Sequence, residues 1–480
     1  MPHPAVTTGP HVAVVGGGVA GLTAALDVLD ALPSATVTVL EGADRFGGKL
    51  RREPVAGHRV DVGAESLLAA RPEAVTLVER VGGRDLLTAP ATTSASVWSR
   101  GSLHPLPRAT LMGVPTDAEG ARGLLTDDEV ERLRDERPWP TGGLVEDVAV
   151  GEYVGARLGG AVVDRLVEPL LGGVYAGHAS RLSLRATMPL LWERATRGAS
   201  LVEPVTAAAS VAGRQRPPFA GIVGGVGLLP DLVAESLRTR GARLRLGAVV
   251  RGLERTSSGW RVVIGSAASP EALEADAVVL ALPPAPASRL LAPHAAAAAA
   301  LLADVETAST AVVTLAVPRA SVAGVEGSGF LVPPVEGRTV KAATLSFRKW
   351  AWTGSLDADV VHLRASFGRA REEAVLQRDD ADLVAVAVAE LSQAFGIAPP
   401  PVVDAHVQRW GGGLPQYAVG HVDTVAAVRA DVARLPGLEV AGATYDGVGV
   451  PAVVASAARA AAGVTTHLST LAPRPGEQPA

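Results

Sequence analysis

The chain of 480 residues contains no cysteine. That excludes disulfides, thiolate metal sites and a cysteine nucleophile, and it fits a protein that is not secreted. Lysine is nearly as scarce: Lys49, Lys341 and Lys349 are the only three among 44 basic residues. A net charge of −5 gives no electrostatic case for a nucleic-acid partner. Four Tyr and six Phe are too few to expect an aromatic cage around a bound amine. The positive mean hydropathy comes from Ala, Val and Leu scattered along the chain, and the alanine run 295–303 is closed by Asp304. No transmembrane segment is expected. No basic segment precedes an apolar core at the start, so no signal peptide is expected either. The expected location is cytoplasmic, with peripheral membrane contact left open. There is no G-x-S-x-G elbow for a serine hydrolase, and no His or carboxylate spacing that suggests a metal. His178, His406 and His421 read as packing or surface residues.

What the chain has is glycine, placed with purpose. An apolar strand, 12–15, runs into Gly16-Gly17-Gly18-Val19-Ala20-Gly21, then a helical run and a second apolar strand, 37–40, ending on Glu41. This is the G-x-G-x-x-G fingerprint in a βαβ setting. Gly16 permits the tight turn, Gly18 lets a pyrophosphate approach the backbone, and Gly21 lets the helix pack against the strand. The N–H groups at the helix start and the helix dipole favour phosphate. Glu41, twenty residues after Gly21, is placed to accept from ribose hydroxyls, which favours FAD or NAD over NADP. Glu41-Gly42-Ala43-Asp44-Arg45-Phe46-Gly47-Gly48-Lys49 continues as E-x-x-x-R-x-G-G. That run moves the cofactor to FAD and puts Arg45 and Gly48 near the phosphates. Asp61-Val62-Gly63-Ala64-Glu65-Ser66 offers a Gly-small turn for the isoalloxazine ring. A strand–Gly loop–helix over 441–451, with Val448, Gly449 and Val450, would aim a helix N-terminus at the reducible edge of the flavin.

The organisation expected from these signals is a discontinuous, Rossmann-like FAD domain built from 11–84, 221–300 and 430–470. Residues 85–200 are expected to form a substrate or helical unit, and 301–420 an antiparallel substrate sheet. The fold class is therefore α/β plus α+β. The spacing predicts helices over 72–82, much of 118–192, 379–396 and 451–462, a hairpin at 97–104, and strands over 310–317, 329–332, 340–347 and 360–367. Residues 195–219 read as a surface connection, and 1–10 and 473–480 as disordered tails.

Further runs carry a resemblance: Glu168–Gly177 (EPLLGGVYAG), Leu182–Pro189 (LSLRATMP), Leu103–Pro107 (LHPLP), Lys349-Trp350, and Trp410 with Leu414–His421 (LPQYAVGH). With the FAD motifs, these make the chain resemble flavin-dependent porphyrinogen oxidases, the coproporphyrinogen III and protoporphyrinogen oxidases of haem synthesis, within the monoamine-oxidase-like superfamily. The resemblance implies an amine-oxidase-like fold with FAD held by Gly16 to Gly21, Glu41, Gly42, Lys49, Gly63, Ala64, Glu65, Ser66, Val250, Trp410 and Val448 to Val450. It implies a six-electron oxidation of coproporphyrinogen III to coproporphyrin III. Flavin N5 would be the hydride acceptor, dioxygen the reoxidant and hydrogen peroxide the by-product. No general base is assigned. Protoporphyrinogen IX is the alternative substrate. An amine oxidase, a desaturase or a non-catalytic FAD-fold binding protein are the other readings. Transient contact with a ferrochelatase is left open. Some relatives anchor a substrate propionate with an arginine just before the 97–104 hairpin. Here that stretch is Thr93-Ser94-Ala95-Ser96, and Arg71 is the expected substitute.

Overall fold

The computed structural model describes residues 9–107, 110–202 and 218–471. The strands with unbroken apolar runs pair first. β1 (His11–Val15, HVAVV) lies between β2 (Thr36–Leu40) and the strand Ala277–Leu280, and all three are parallel. Arg243–Arg245 and Leu438–Val440 add the two edges of a five-stranded parallel sheet. Such runs need both faces covered. Val12 and Val14 face α1 (Val19–Ala31) and the helix Val450–Leu471. Ala13 and Val15 face the antiparallel strands of 250–275 and the helices Pro284–Leu291 and Ala296–Ala303. Three segments distant in sequence thus share one sheet.

The second sheet has seven strands, in the order Asp404–Pro415, Thr307–Pro318, Val360–Phe367, Val340–Thr344, Gly329–Leu331, Ala95–Ser99, Ser102–Pro105. Every pairing is antiparallel except Gly329–Leu331 with Ala95–Ser99. The 95–105 hairpin turns at Arg100 and Gly101, both at positive φ. It is the edge of this sheet, and its Val97 also packs into the core of the helical unit. The strand expected over 340–347 ends at Thr344, because Ser346–Lys349 turns into a short helix that reaches Glu65. Along each central strand, alternate residues enter an apolar core (Val313, Leu315, Leu363, Ala365, Phe367) or face the parallel-sheet domain.

The helical unit packs Asp127–Arg134, Val150–Leu158 and a run from Gly160 to Tyr175 around Tyr153, Leu166 and Leu171. Thr126 starts the first of these with a capping box: its hydroxyl takes the Glu129 N–H, and Glu129 takes the Thr126 N–H. No helix forms over 135–149, where the sequence suggested mostly helix. Helix Val450–Leu471 runs past the predicted end at 462, and helix Pro72–Arg80 stops slightly short of its own. The expected tails fall mostly outside the described residues, and so does most of the 195–219 connection.

Candidate functional site

The glycines of the fingerprint have separate geometric duties. Gly16 has φ +106, and a methyl there would lie 2.3 Å from the Ala281 carbonyl oxygen. A methyl on Gly21 would lie 1.8 Å from the Gly16 oxygen, so only glycine lets α1 pack against the turn. Gly18 is different. A methyl there would approach nothing closer than Gly48 Cα at 3.9 Å. Its backbone is ordinary, and the space beyond it is open. α1 begins with no side-chain cap and no acid in its first turn. Its unpaired N–H groups therefore suit an anion.

Glu41 holds this turn. Its Oε2 accepts from Gly17 N–H at 2.6 Å, and its Oε1 from Ala43 N–H at 2.9 Å. Each oxygen keeps a lone pair for a ribose hydroxyl. A cavity of about 470 Å³ opens beside it, lined among others by Gly16, Glu41, Gly42, Val250 and Arg251. Val250 opens the strand Val250–Arg255 at a register shift, which places its backbone at this rim. Arg45, expected near phosphate, donates to the carbonyls of Phe46, Gly48 and Leu50. It folds the loop that brings Gly47 N–H onto the Gly17 carbonyl at 2.9 Å.

Gly63, Ala64, Lys49 and Trp410 line a second cavity, of about 290 Å³, together with Gly173, Val174, Thr310, Lys341, Thr344, Lys349, Arg364 and Ser366. Gly63 is obligatory, since a methyl there would lie 2.1 Å from the Lys49 oxygen. The Trp410 indole N–H donates to the Val62 carbonyl at 3.3 Å. Burial pulls the Lys49 ammonium below its usual range. Val448, Gly449 and Val450 form the entry to the helix Val450–Leu471, as expected.

Two carboxylates of the expected flavin loop join distant segments of the chain. The Asp61 carboxylate accepts from Val226 and Gly227 N–H, both at 2.8 Å, and burial pushes its pKa up to about 7. It ties the first FAD segment to the second. The Glu65 carboxylate is taken by Lys349 (3.0 Å), Arg364 (2.9 Å), Ser346 (2.9 Å) and the Trp350 indole (3.3 Å). Burial would raise its pKa, but the two cations hold it down to about 2. Lys349 also bonds Ser66 at 2.8 Å, and Arg364 donates to the Gly63 carbonyl. Glu65 is thus a buried joint between the Gly63–Ser66 loop and the substrate sheet. Sequence reasoning missed Arg364 and Ser346 altogether. It did not see that all three lysines of the chain line one cavity.

Arg71, the expected substrate arginine, lies off that cavity. It precedes the helix Pro72–Arg80 and pairs with Glu73 at 2.5 Å, with its side chain 42% exposed. It is not among the residues lining the 290 Å³ cavity. A carboxylate two residues away captures its guanidinium.

The YAG and PQYxVGH runs meet in space. Tyr175 and Tyr417 have ring centroids 5.5 Å apart, and Gln416 donates to the Tyr175 carbonyl at 2.8 Å. Tyr417 stacks on His421 at 4.1 Å, and its hydroxyl donates to the Ala443 carbonyl. His421 Nε2 lies 2.9 Å from the Thr444 carbonyl. These residues clamp the helical unit and the substrate sheet onto the loop before the last helix. The packing role expected for His421 is what the structure shows. No group of side chains that could hold a metal occurs among the described residues.

A glycine turn with open space at Gly18, a ribose acid beside one cavity and a glycine-rimmed second cavity fit a flavin dinucleotide, with adenosine by Val250 and the ring by Gly63. Fold and site together define a flavin-dependent oxidoreductase. Residues 19–465 match the family model of flavin-containing amine oxidoreductases, and the chain belongs to that family. Its cofactor is FAD. The chain is 40% identical to the coproporphyrinogen III oxidase of Mycobacterium tuberculosis (strain ATCC 25618 / H37Rv) over 466 residues, 95% of this chain and 97% of that one. It is 28% identical to the Bacillus subtilis (strain 168) protein of the same name, over 95% of this chain and 98% of that one. A crystal structure from Exiguobacterium sp. 255-15, provisionally described as a protoporphyrinogen oxidase, superposes with a TM-score of 0.83 at 31% identity, over 95% of this chain and 99% of that one.

Proposed function

We propose that the protein oxidises coproporphyrinogen III to coproporphyrin III in haem synthesis, in the cytoplasm, with dioxygen as final electron acceptor. The observation that carries the substrate is the 40% identity, over nearly the full length of both chains, to a relative of that name. Charge supports it. The cavity beside Gly63 is lined by Lys49, Lys341, Lys349 and Arg364, and its one carboxylate, Glu65, is already neutralised by two of them. A substrate bearing four carboxylates suits such a cavity, and a cationic amine does not. That weighs against the amine-oxidase reading within the same family. Protoporphyrinogen IX shares the macrocycle and two of the carboxylates, so it remains the second reading.

Bound FAD supplies the two-electron acceptor chemistry. The chain supplies position and environment. Glu41 and the Gly16–Gly21 turn would fix the dinucleotide, Gly63 and Trp410 would border the ring, and Val174, Val312 and Leu414 would give the macrocycle an apolar wall. The balanced reaction consumes three dioxygen molecules and releases three of hydrogen peroxide for each porphyrin. A ferrochelatase is the partner that would use a metal-free porphyrin downstream.

The test is anaerobic mixing of the holoenzyme with coproporphyrinogen III, protoporphyrinogen IX and a diamine in turn. Bleaching of the visible flavin band by coproporphyrinogen, followed in air by porphyrin fluorescence and three peroxides per porphyrin, is the expected result. Bleaching by the diamine alone would refute the proposal.

A further inference from the structure

Lys341 stands in the strand Val340–Thr344 where the register slips: Val340 pairs with Phe367, but Ala342 pairs with Ser366. Val340 and Ala343 enter the apolar core of the substrate sheet, so simple alternation fails between them. The extra residue re-aims the chain, as β-bulges do. Lys341 thereby reaches the cavity face alongside Thr344, Ser366 and Arg364.

It is 7% exposed, and no carboxylate lies within ion-pair distance of it among the described residues. The other cations on that face are committed, Lys349 and Arg364 to Glu65. Lys49 sits beside Gly63, on the flavin side. The charged group acting on Lys341 is a second buried cation, Arg369, which is 6% exposed. The acids near this pair act on Arg369 instead. Glu372 is 3.9 Å from it, the Glu168 carboxylate takes the Ala179 N–H, and Glu390 takes the Thr339 and Val340 N–H groups. A buried ammonium without an anion is unfavourable. Here the strand is bent to expose that ammonium to the space where an anionic substrate would sit.

Resting on the porphyrinogen reading above, we propose that Lys341, backed by Arg369, anchors one carboxylate of the substrate. It would take the role that the sequence assigned to Arg71. Burial and Arg369 hold the free Lys341 ammonium down to about 7. A bound carboxylate raises that value, so binding takes up a proton once the free group has lost it. Affinity is full below about pH 7 and falls above it, by at most about tenfold per pH unit. The other titratable groups lining the cavity are Lys49, Glu65 and Lys349. Glu65 is ionised throughout this range, being held at about 2.

The experiment is a fluorescence titration of the FAD-loaded protein with coproporphyrin III, the stable product that keeps all four carboxylates. Wild type, Lys341→Met and Lys341→Arg are compared at pH 6.5 and 8.5, with the tetramethyl ester as control. Lys341→Met removes a buried charge, so it is expected to fold and keep its flavin. It should weaken coproporphyrin binding at pH 6.5 on the order of tenfold to a hundredfold. Lys341→Arg should bind at pH 6.5 within a few-fold of wild type and lose the pH dependence, since arginine stays charged. The ester should bind all three proteins alike. Wild-type affinity in Lys341→Met overturns the proposal. So does a tetramethyl ester that loses as much affinity for Lys341→Met as coproporphyrin does, which would trace the loss to packing and not to charge. A wild-type protein that neither binds coproporphyrin nor oxidises a porphyrinogen overturns the functional reading itself, a result distinct from a variant effect.

Discussion

Replacing Glu65 by Gln is the sharpest test of how the site is held. The side chain keeps its shape and loses its charge. Lys349, half-buried at 19% side-chain exposure, and Arg364, buried at 9%, then face no counter-charge. The carboxyl is held at about 2 against an ordinary 4.5, a preference for the ionised form of about 3 kcal/mol. Removing one member of a buried ion pair costs about 3–5 kcal/mol in general, which agrees. The sign follows from the depressed value. The contribution is complete above the unfolded carboxyl's pKa and is lost as pH falls from about 4.5 towards 2. Urea unfolding of the holoprotein, read by tryptophan fluorescence and flavin release, should show Glu65→Gln destabilised by about 3 kcal/mol at pH 7.5. The gap to wild type should narrow as pH drops below 4.5. The Glu65 charge also helps to raise the Asp61 pKa, so the same pair is compared in an Asp61→Asn background, where only the Glu65 contribution varies with pH. Equal stability at pH 7.5, or a gap that does not change with pH, would refute the reasoning.

Gly18→Ala should leave the melting of the apoprotein unchanged, since a methyl there meets only Gly48 Cα, at an unstrained 3.9 Å, yet lower FAD affinity at least about tenfold by filling the phosphate's space. Comparing apoprotein melts with flavin titrations checks both halves. Gly21→Ala, which drives a methyl to 1.8 Å from a backbone oxygen, should instead destabilise the apoprotein by about 1–3 kcal/mol, visible in the same melts. Arg71→Ala should change KM for coproporphyrinogen III by less than about twofold, because an exposed pair with Glu73 contributes at most about 1 kcal/mol to stability and the residue lies off the cavity. A large rise in KM would restore Arg71 to the substrate site.

The dinucleotide end of the site was legible in the sequence because its requirements are local. A turn without side chains, an open approach at Gly18 and an acid at the end of β2 all lie within one βαβ unit. The ring end was legible only in part. Gly63 was read as a loop glycine from its own neighbours and Trp410 entered only through the family resemblance, while the partners of Glu65 come from residues 346–364, and no spacing rule links them to residue 65. The partners that Arg45 and Arg71 take within the protein were not legible for one reason: an arginine's charge says nothing about which nearby oxygen captures it. The scarcity of lysine looked like composition alone, and its meaning lies in placement, since Lys49, Lys341 and Lys349 converge only after folding. Lys341 was further hidden by a bulge, which breaks the alternation on which strand reading depends.

The pairing of α1 with the helix Val450–Leu471 has a consequence for how this protein is made. The apolar face of α1, with Leu22, Leu26 and Leu29, is covered in part by Val453, Ala457, Ala460 and Val464. During synthesis the first half of the flavin site leaves the ribosome long before its cover exists. The nascent chain must therefore carry an apolar helix that Leu229–Thr239 covers only in part until the last helix has been made.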